Sequence, residues 1–161
     1  GSLMTNFPTL NDPADVTVLV QAIKDYVGEV VTEPQAYTPT WNASTTNPTL
    51  GNGTLVGRYV QIGKTVHATI SLTFGSSTTI GSGGYTFGLP VAAANGSIQY
   101  PVGGARLRDN SPSTYAMRTA YLNSATAVAI ASESGLLVGH SNPWTMAAGD
   151  IINISMTYEA A

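Results

Sequence analysis

Thr65-Val66-His67-Ala68-Thr69-Ile70-Ser71-Leu72-Thr73-Phe74 alternates polar and apolar side chains along its whole length. Successive side chains of a strand point to opposite faces. The run therefore reads as a strand with Val66, Ala68, Ile70, Leu72 and Phe74 on a buried face and His67 turned to solvent. Upstream, Leu55 and then Arg58-Tyr59-Val60-Gln61-Ile62 carry a second run of the same kind. Gly63-Lys64 separates the two by two residues, and Gly supplies the positive φ that a tight hairpin requires, so the runs are expected to pair antiparallel.

Further strand candidates follow at 85–89, 97–102, 105–108, 115–120, 125–131 and 151–158, separated by breaks that carry Gly, Pro or Asn. Eight or so short strands with no second helical pattern predict a mainly β fold, an antiparallel β-sandwich or jelly roll. Gly81-Ser82-Gly83-Gly84 reads as a hairpin tip, since it lacks the strand-to-helix context of a phosphate-binding loop.

The other end of the chain follows a different period. Asp12-Pro13-Ala14-Asp15 is a helix start, with Asp12 as cap, Pro13 at the first helical position and Asp15 beside the positive end of the dipole. The helix is expected over 13–32. Val16, Val20, Ile23, Val27 and Val30 are spaced 4, 3, 4 and 3, a heptad seam in which every member is β-branched. β-Branched residues at both seam positions favour more than two strands, so this is read as a short coiled-coil stalk that forms a homotrimer. The alternative is an amphipathic helix packed on its own β-domain, because Leu19, Tyr26 and Val31 broaden the apolar face and fewer than three heptads are marginal alone. Three parts result: an extended leader over residues 1–11, a helical stalk over 12–35 and a β-domain over 36–161.

Charge divides along the same lines. The helical part holds Asp12, Asp15, Asp25, Glu29 and Glu33 against Lys24. The β part holds Asp109, Glu133, Asp150 and Glu159 against Arg58, Lys64, Arg106, Arg108 and Arg118. Only 9% of the 161 residues are charged, so polarity must come from Ser, Thr, Asn and backbone, as suits an exposed structural protein. A net charge of −3 provides no basic track for nucleic acid. With no cysteine, disulfides and thiolate chemistry are excluded. No run of 18 apolar residues exists, so membrane insertion is not expected. Gly1-Ser2-Leu3 ahead of Met4 reads as an expression scar, with a whole natural protein expected from Met4.

Reactive constellations are not legible. The β-domain carboxylates are widely separated, and Asp150, after Gly149 and before a strand, reads as a turn residue. His67 and His140 belong to no metal-ligand spacing. Four Asn-x-Ser/Thr matches, at Asn42, Asn52, Asn95 and Asn153, are what a chain this rich in Asn, Ser and Thr produces by chance. No catalytic residue, metal or cofactor is expected. Trp41 and Trp144 are read as packing residues, against the alternative that they, with Tyr85, Tyr100, Tyr115 and Tyr121, are platforms for stacking sugars. The weak choice for a recognition surface is the cluster Tyr100, Arg106, Arg108, Tyr115, Arg118 and Tyr121, around Asp109.

Several segments together carry a resemblance. They are Asn6-Phe7-Pro8-Thr9, Tyr37-Thr38-Pro39-Thr40-Trp41, Asn47-Pro48-Thr49-Leu50-Gly51-Asn52-Gly53-Thr54-Leu55, Gly57-Arg58-Tyr59 and Gly63-Lys64-Thr65-Val66. To these add Tyr85-Thr86-Phe87-Gly88-Leu89-Pro90-Val91, Asn142-Pro143-Trp144-Thr145-Met146-Ala147-Ala148-Gly149-Asp150 and Thr157-Tyr158-Glu159-Ala160-Ala161. The chain resembles the virion surface proteins of actinobacterial phages, and residues 92–141 match least. The resemblance implies a non-enzymatic structural protein displayed on the virion as a homotrimer, as capsid decoration, head fibre, tail fibre or minor tail protein. Its leader, Met4 to Asn11, is then a docking peptide for a capsid or tail subunit, against the alternative of a frayed terminus. The competing function is a tail adhesin that recognises host cell-wall carbohydrate.

Overall fold

The computed structural model describes residues 12–30, 33–133 and 135–161, except the side chains of 27–30 and 97. The leader over 1–11 lies outside the described residues, as do the side chains of Val27 and Val30. The chain divides into two compact units between Glu33 and Pro34. The first contains one helix, α1 (Pro13–Val30). Asp12 caps it: its Oδ1 accepts from the Ala14 amide at 2.8 Å and the Asp15 amide at 3.2 Å, so two of the free N–H groups of the first turn are satisfied.

The second unit is built of nine strands, β1 (Gln35–Tyr37), β2 (Trp41–Ala43), β3 (Thr54–Ile62), β4 (Thr65–Thr73), β5 (Tyr85–Gly88), β6 (Pro101–Asp109), β7 (Thr114–Ser124), β8 (Ala127–Ala131) and β9 (Ile151–Glu159). They form one antiparallel sheet in the order β1-β3-β4-β9-β6-β7-β8-β5-β2. The fold is thus mainly β with one N-terminal helix. Gly63, at φ +59, turns β3 directly into β4 with Ile62 paired to Thr65, as the two-residue break predicts. One expectation fails: 97–102 is not a strand, because Gly96–Ile98 forms a single 3-10 turn and β6 begins only at Pro101.

Strand order forces the sheet to curl. β1 and β2 are its opposite edges, and a flat sheet would hold them about 38 Å apart, eight spacings of about 4.8 Å. Yet residues 38–40 are all that separates them, a reach of at most about 14 Å. The edges therefore meet. The Gly88 amide donates to the Thr40 carbonyl at 3.0 Å, and the Tyr37 hydroxyl donates to the Gly88 carbonyl at 3.1 Å. Trp41 of β2 lies edge-on against Phe74, just past β4, with centroids 5.4 Å apart, and against Tyr85 of β5 at 5.2 Å.

The core fills this curl. Val66, Ala68, Ile70 and Leu72 of β4 and Ile152, Ile154, Met156 and Tyr158 of β9 point into it, with Leu107, Leu122, Val128, Ile130 and Phe87 from the remaining strands. Each Val, Leu, Ile, Met or Phe among them contributes about 1.5–3 kcal/mol by leaving water. Trp41 is buried and Trp144 packs against the core from its margin, as read from the sequence.

Gly81-Ser82-Gly83-Gly84 is not a hairpin tip. Ser82 bridges Thr46, Gly84 bridges Gly139, and the Gly83 amide donates to His140 Nδ1 at 2.8 Å, so the segment is laid between two neighbouring stretches. Its glycines allow that close backbone approach, a role that the sequence does not separate from a turn. Asp150 is a turn residue, and a buried one. Its two carboxyl oxygens accept from the Asn110 and Ala147 amides, both at 2.9 Å, and so tie the β6–β7 turn to the entry of β9.

Candidate functional site

Alternation that fills the core sets the other face of the sheet by subtraction. The pairing aligns Val56, Ser71, Asn153, Arg106 and Met117 in one row across β3, β4, β9, β6 and β7. It aligns Arg58, Thr69, Ser155, Gly104 and Thr119 in the next. These rows form a shallow trough of about 500 Å³ on the outer face. Thr69, Ser71, Asn153 and Ser155 make its floor. Val56 and Arg58 stand along one margin, Arg106 and Met117 along the other. A Cβ at Gly104 would find only the Arg118 carbonyl, 3.8 Å away, so the missing side chain leaves the floor open.

The trough continues toward His67. A second depression of about 280 Å³ shares Arg58, Thr69 and Ser155 with the first and runs on to Val60, His67 and Thr157. Polar side chains of the floor are linked across strands: the Ser71 hydroxyl donates to Asn153 Oδ1 at 2.7 Å, and His67 Nδ1 lies 2.8 Å from Thr157 Oγ1. His67 is exposed, as its strand parity predicts.

The expected recognition cluster is split by the sheet. Arg106 and Arg108 of β6 and Tyr115 of β7 share the outer face, where the Arg106 guanidinium sits 4.3 Å from the centre of the Tyr115 ring. The hydrogen bond of the Ser113 side chain to Tyr115, then the positive charges of Arg108 and Arg106, hold its hydroxyl below the ordinary tyrosine range. Arg118 belongs elsewhere. It has the parity of Ala116, Ala120 and Leu122, is paired with buried Ala105, and leaves only 15% of its side chain exposed. Its Nη1 donates to the Met117 carbonyl and lies 3.4 Å from Glu133 Oε1. Tyr121 has outer parity and its hydroxyl is raised by burial, while Tyr100 is exposed ahead of β6. Adjacency in sequence suggested one patch, and strand parity divides it.

Arg58 was absent from the expected surface, since nothing local marks it. It comes beside Gly104 and Arg106 only through β4 and β9. Among the described residues, the trough places arginines on both margins with no carboxylate in its lining. The surface it presents is mostly hydrocarbon, from exposed Val56 and Met117 and from the carbon atoms of the polar side chains, so the arrangement is an apolar groove flanked by two arginines. Among the described residues no three His, Cys, Asp or Glu side chains gather as a metal site.

Comparison with protein-family models, with curated proteins and with solved structures finds no match to this chain.

Proposed function

We propose that this chain is a non-enzymatic surface protein of an actinobacterial phage virion, displayed as a homotrimer in capsid decoration, a head fibre or a minor tail protein. In this reading the curled sheet is a sandwich or jelly-roll head and α1 is a short coiled-coil stalk. The observation that carries it is the seam of α1. Val16, Val20 and Ile23 are 47%, 43% and 52% exposed in the single chain, at spacings that suit close packing with copies of the same helix. Apolar side chains left in water favour association; Val18, off the seam, is 61% exposed as well, so it is the heptad spacing, and not exposure alone, that singles out the seam.

Segments of the resemblance also have structural weight that supports a shared head. Tyr37 and Gly88 close the curl, Gly57 lies against the Tyr37 ring, Gly63 makes the β3–β4 turn and Asp150 ties two turns together. The leader is then the segment that docks on a capsid or tail subunit.

The mass of the intact chain in solution tests the reading. Light scattering should give three times the 16.7 kDa of one chain. A single-chain mass across the concentration range would refute the homotrimer.

A further inference from the structure

Asn-Gly occurs twice in the chain, at Asn52-Gly53 and Asn95-Gly96, and the fold holds the two pairs in opposite ways. Glycine has no side chain to shield its backbone nitrogen, so in such a pair that nitrogen can reach the asparagine side chain. Asn52 is kept from this. Its Nδ2 donates to Ser76 Oγ at 2.8 Å, its Oδ1 accepts from the Ser77 amide at 2.9 Å, and the Gly53 amide donates to the Leu50 carbonyl at 2.9 Å. Both groups that would react are tied to other partners.

Asn95 is free where Asn52 is bound. It is exposed just ahead of the single 3-10 turn Gly96–Ile98, and its side chain makes no capping hydrogen bond. Among the described residues the Gly96 amide donates to no acceptor. One bond, from the Ile98 amide to the Asn95 carbonyl, holds the peptide between Asn95 and Gly96, and at 3.3 Å it is longer than most such bonds. Gly96 rests against Ala125, so the rotation that brings nitrogen and side chain together falls on Asn95, which stands in solvent.

We propose that Asn95 is a site of spontaneous deamidation. The Gly96 nitrogen attacks Asn95 Cγ and forms the N–Cγ bond of a five-membered imide. The Cγ–Nδ2 bond breaks, and the side-chain nitrogen leaves as ammonia with the proton of the Gly96 amide. Water then opens the imide at either carbonyl, leaving aspartate or isoaspartate at position 95. The balance is an amide and water converted to a carboxylate and an ammonium ion, with no oxidant, metal or enzyme. The product carries one more negative charge, next to Ala94, whose amide is bonded to the Glu159 carbonyl. Isoaspartate also lengthens the main chain by one carbon, ahead of the turn that leads into β6. This chemistry goes beyond the virion reading and does not depend on it.

Trypsin places the two sites in separate peptides, 25–58 and 65–106, and Asn95 is the only asparagine of the second. The full chain is aged in mildly alkaline buffer, folded and, in parallel, unfolded in guanidinium chloride, and both peptides are followed by mass spectrometry. In the folded protein Asn95 should convert at close to its unfolded rate. Asn52 should convert about tenfold or more slowly than when unfolded, because its hydrogen bonds must first open. Ser76→Ala, which frees the Asn52 amide, should quicken conversion at Asn52 and leave Asn95 unchanged. Isoaspartate should appear beside aspartate in peptide 65–106, as direct hydrolysis of the amide does not give it. Protection of Asn95 as strong as that of Asn52, or aspartate as its sole product, would overturn the proposal.

Discussion

The Tyr37 hydroxyl donates to the Gly88 carbonyl across the line where the two ends of the sheet meet. Tyr37 belongs to one edge strand and Gly88 to the strand beside the other edge. The bond therefore joins positions that follow no common strand ladder, and the ring that carries it rests on Gly57, where any Cβ would overlap the ring. Tyr37→Phe should cost about 1 kcal/mol, the net value of one hydrogen bond. Gly57→Ala should cost about 1–3 kcal/mol, because the ring must move from the seam. Urea unfolding of the two variants measures both, and a Gly57→Ala protein as stable as the parent would refute the packing argument.

Asp150 holds two backbone amides from a position only 1% exposed. Asp150→Ala strands both donors and should cost about 2–4 kcal/mol. Asp150→Asn retains one acceptor but turns an N–H₂ toward the other amide, so it should also destabilise, though by less. Amide hydrogen exchange at Asn110 and Ala147 should quicken in both variants.

The ionisation of Tyr115 should separate from that of the buried tyrosines. Burial raises the hydroxyls of Tyr37 and Tyr85, and that of Tyr158 to about 12. Tyr115 is lowered. In the unfolded chain all would ionise near 10. A raised folded value means that the neutral form is the one the fold holds, so stability is full below pH 10. Above that it falls, by up to about 1.4 kcal/mol per pH unit for each buried tyrosine. Ultraviolet titration of the folded protein should show Tyr115 ionising before Tyr37, Tyr85 and Tyr158, and the contribution of those three buried hydroxyls to the urea midpoint should be lost only above pH 10.

Charge placed in the α1 seam should disperse the oligomer. Val20→Asp with Ile23→Asp puts like charges where copies of the helix are proposed to meet, at positions exposed in one chain. The expected mass is that of a single chain, with the urea midpoint of the β unit unchanged. An undiminished oligomer would locate the subunit contact outside this seam.

Gly63 isolates the cost of backbone conformation. Nothing lies within 4 Å of a Cβ built there, yet φ is +59. Gly63→Val should lose about 1–2 kcal/mol from the left-handed conformation alone, and Gly63→Asn much less, as Asn visits that region more readily. Thermal melts of the pair measure the difference.

Legibility followed from how local each cause was. β4 and β9 keep strict alternation over nine residues and their buried faces were readable directly, whereas β3 carries Val56, Val60 and Ile62 on its outer parity. β1 and β2 were not, since three residues beside Pro39 carry too short a pattern, and their place is fixed by partners 20 to 50 residues away. The start of β6 was misread because Ser97-Ile98-Gln99-Tyr100 alternates like a strand, whereas Gln99 takes a φ of +52 that ends any such run. The trough was hidden more deeply. Arg58 and Arg106 acquire their relationship only from strand order, and Arg118 was grouped with Arg106 because parity around the β6–β7 turn could not be fixed without the register.

The place of β9 between β4 and β6 sets the order in which the molecule can come into being. Without residues 151–159 the curled sheet is open on one side: β1-β3-β4 and β6-β7-β8-β5-β2 stay joined where Tyr37 and Thr40 meet Gly88, while β4 and β6 each show one long unpaired flank. Everything made before β9 must wait for it while those flanks stand open to other chains, and contacts so distant in sequence form slowly. During synthesis the sheet depends on β9 as an arch depends on its keystone. A crowded cell that produces many copies at once must shelter or outpace that interval.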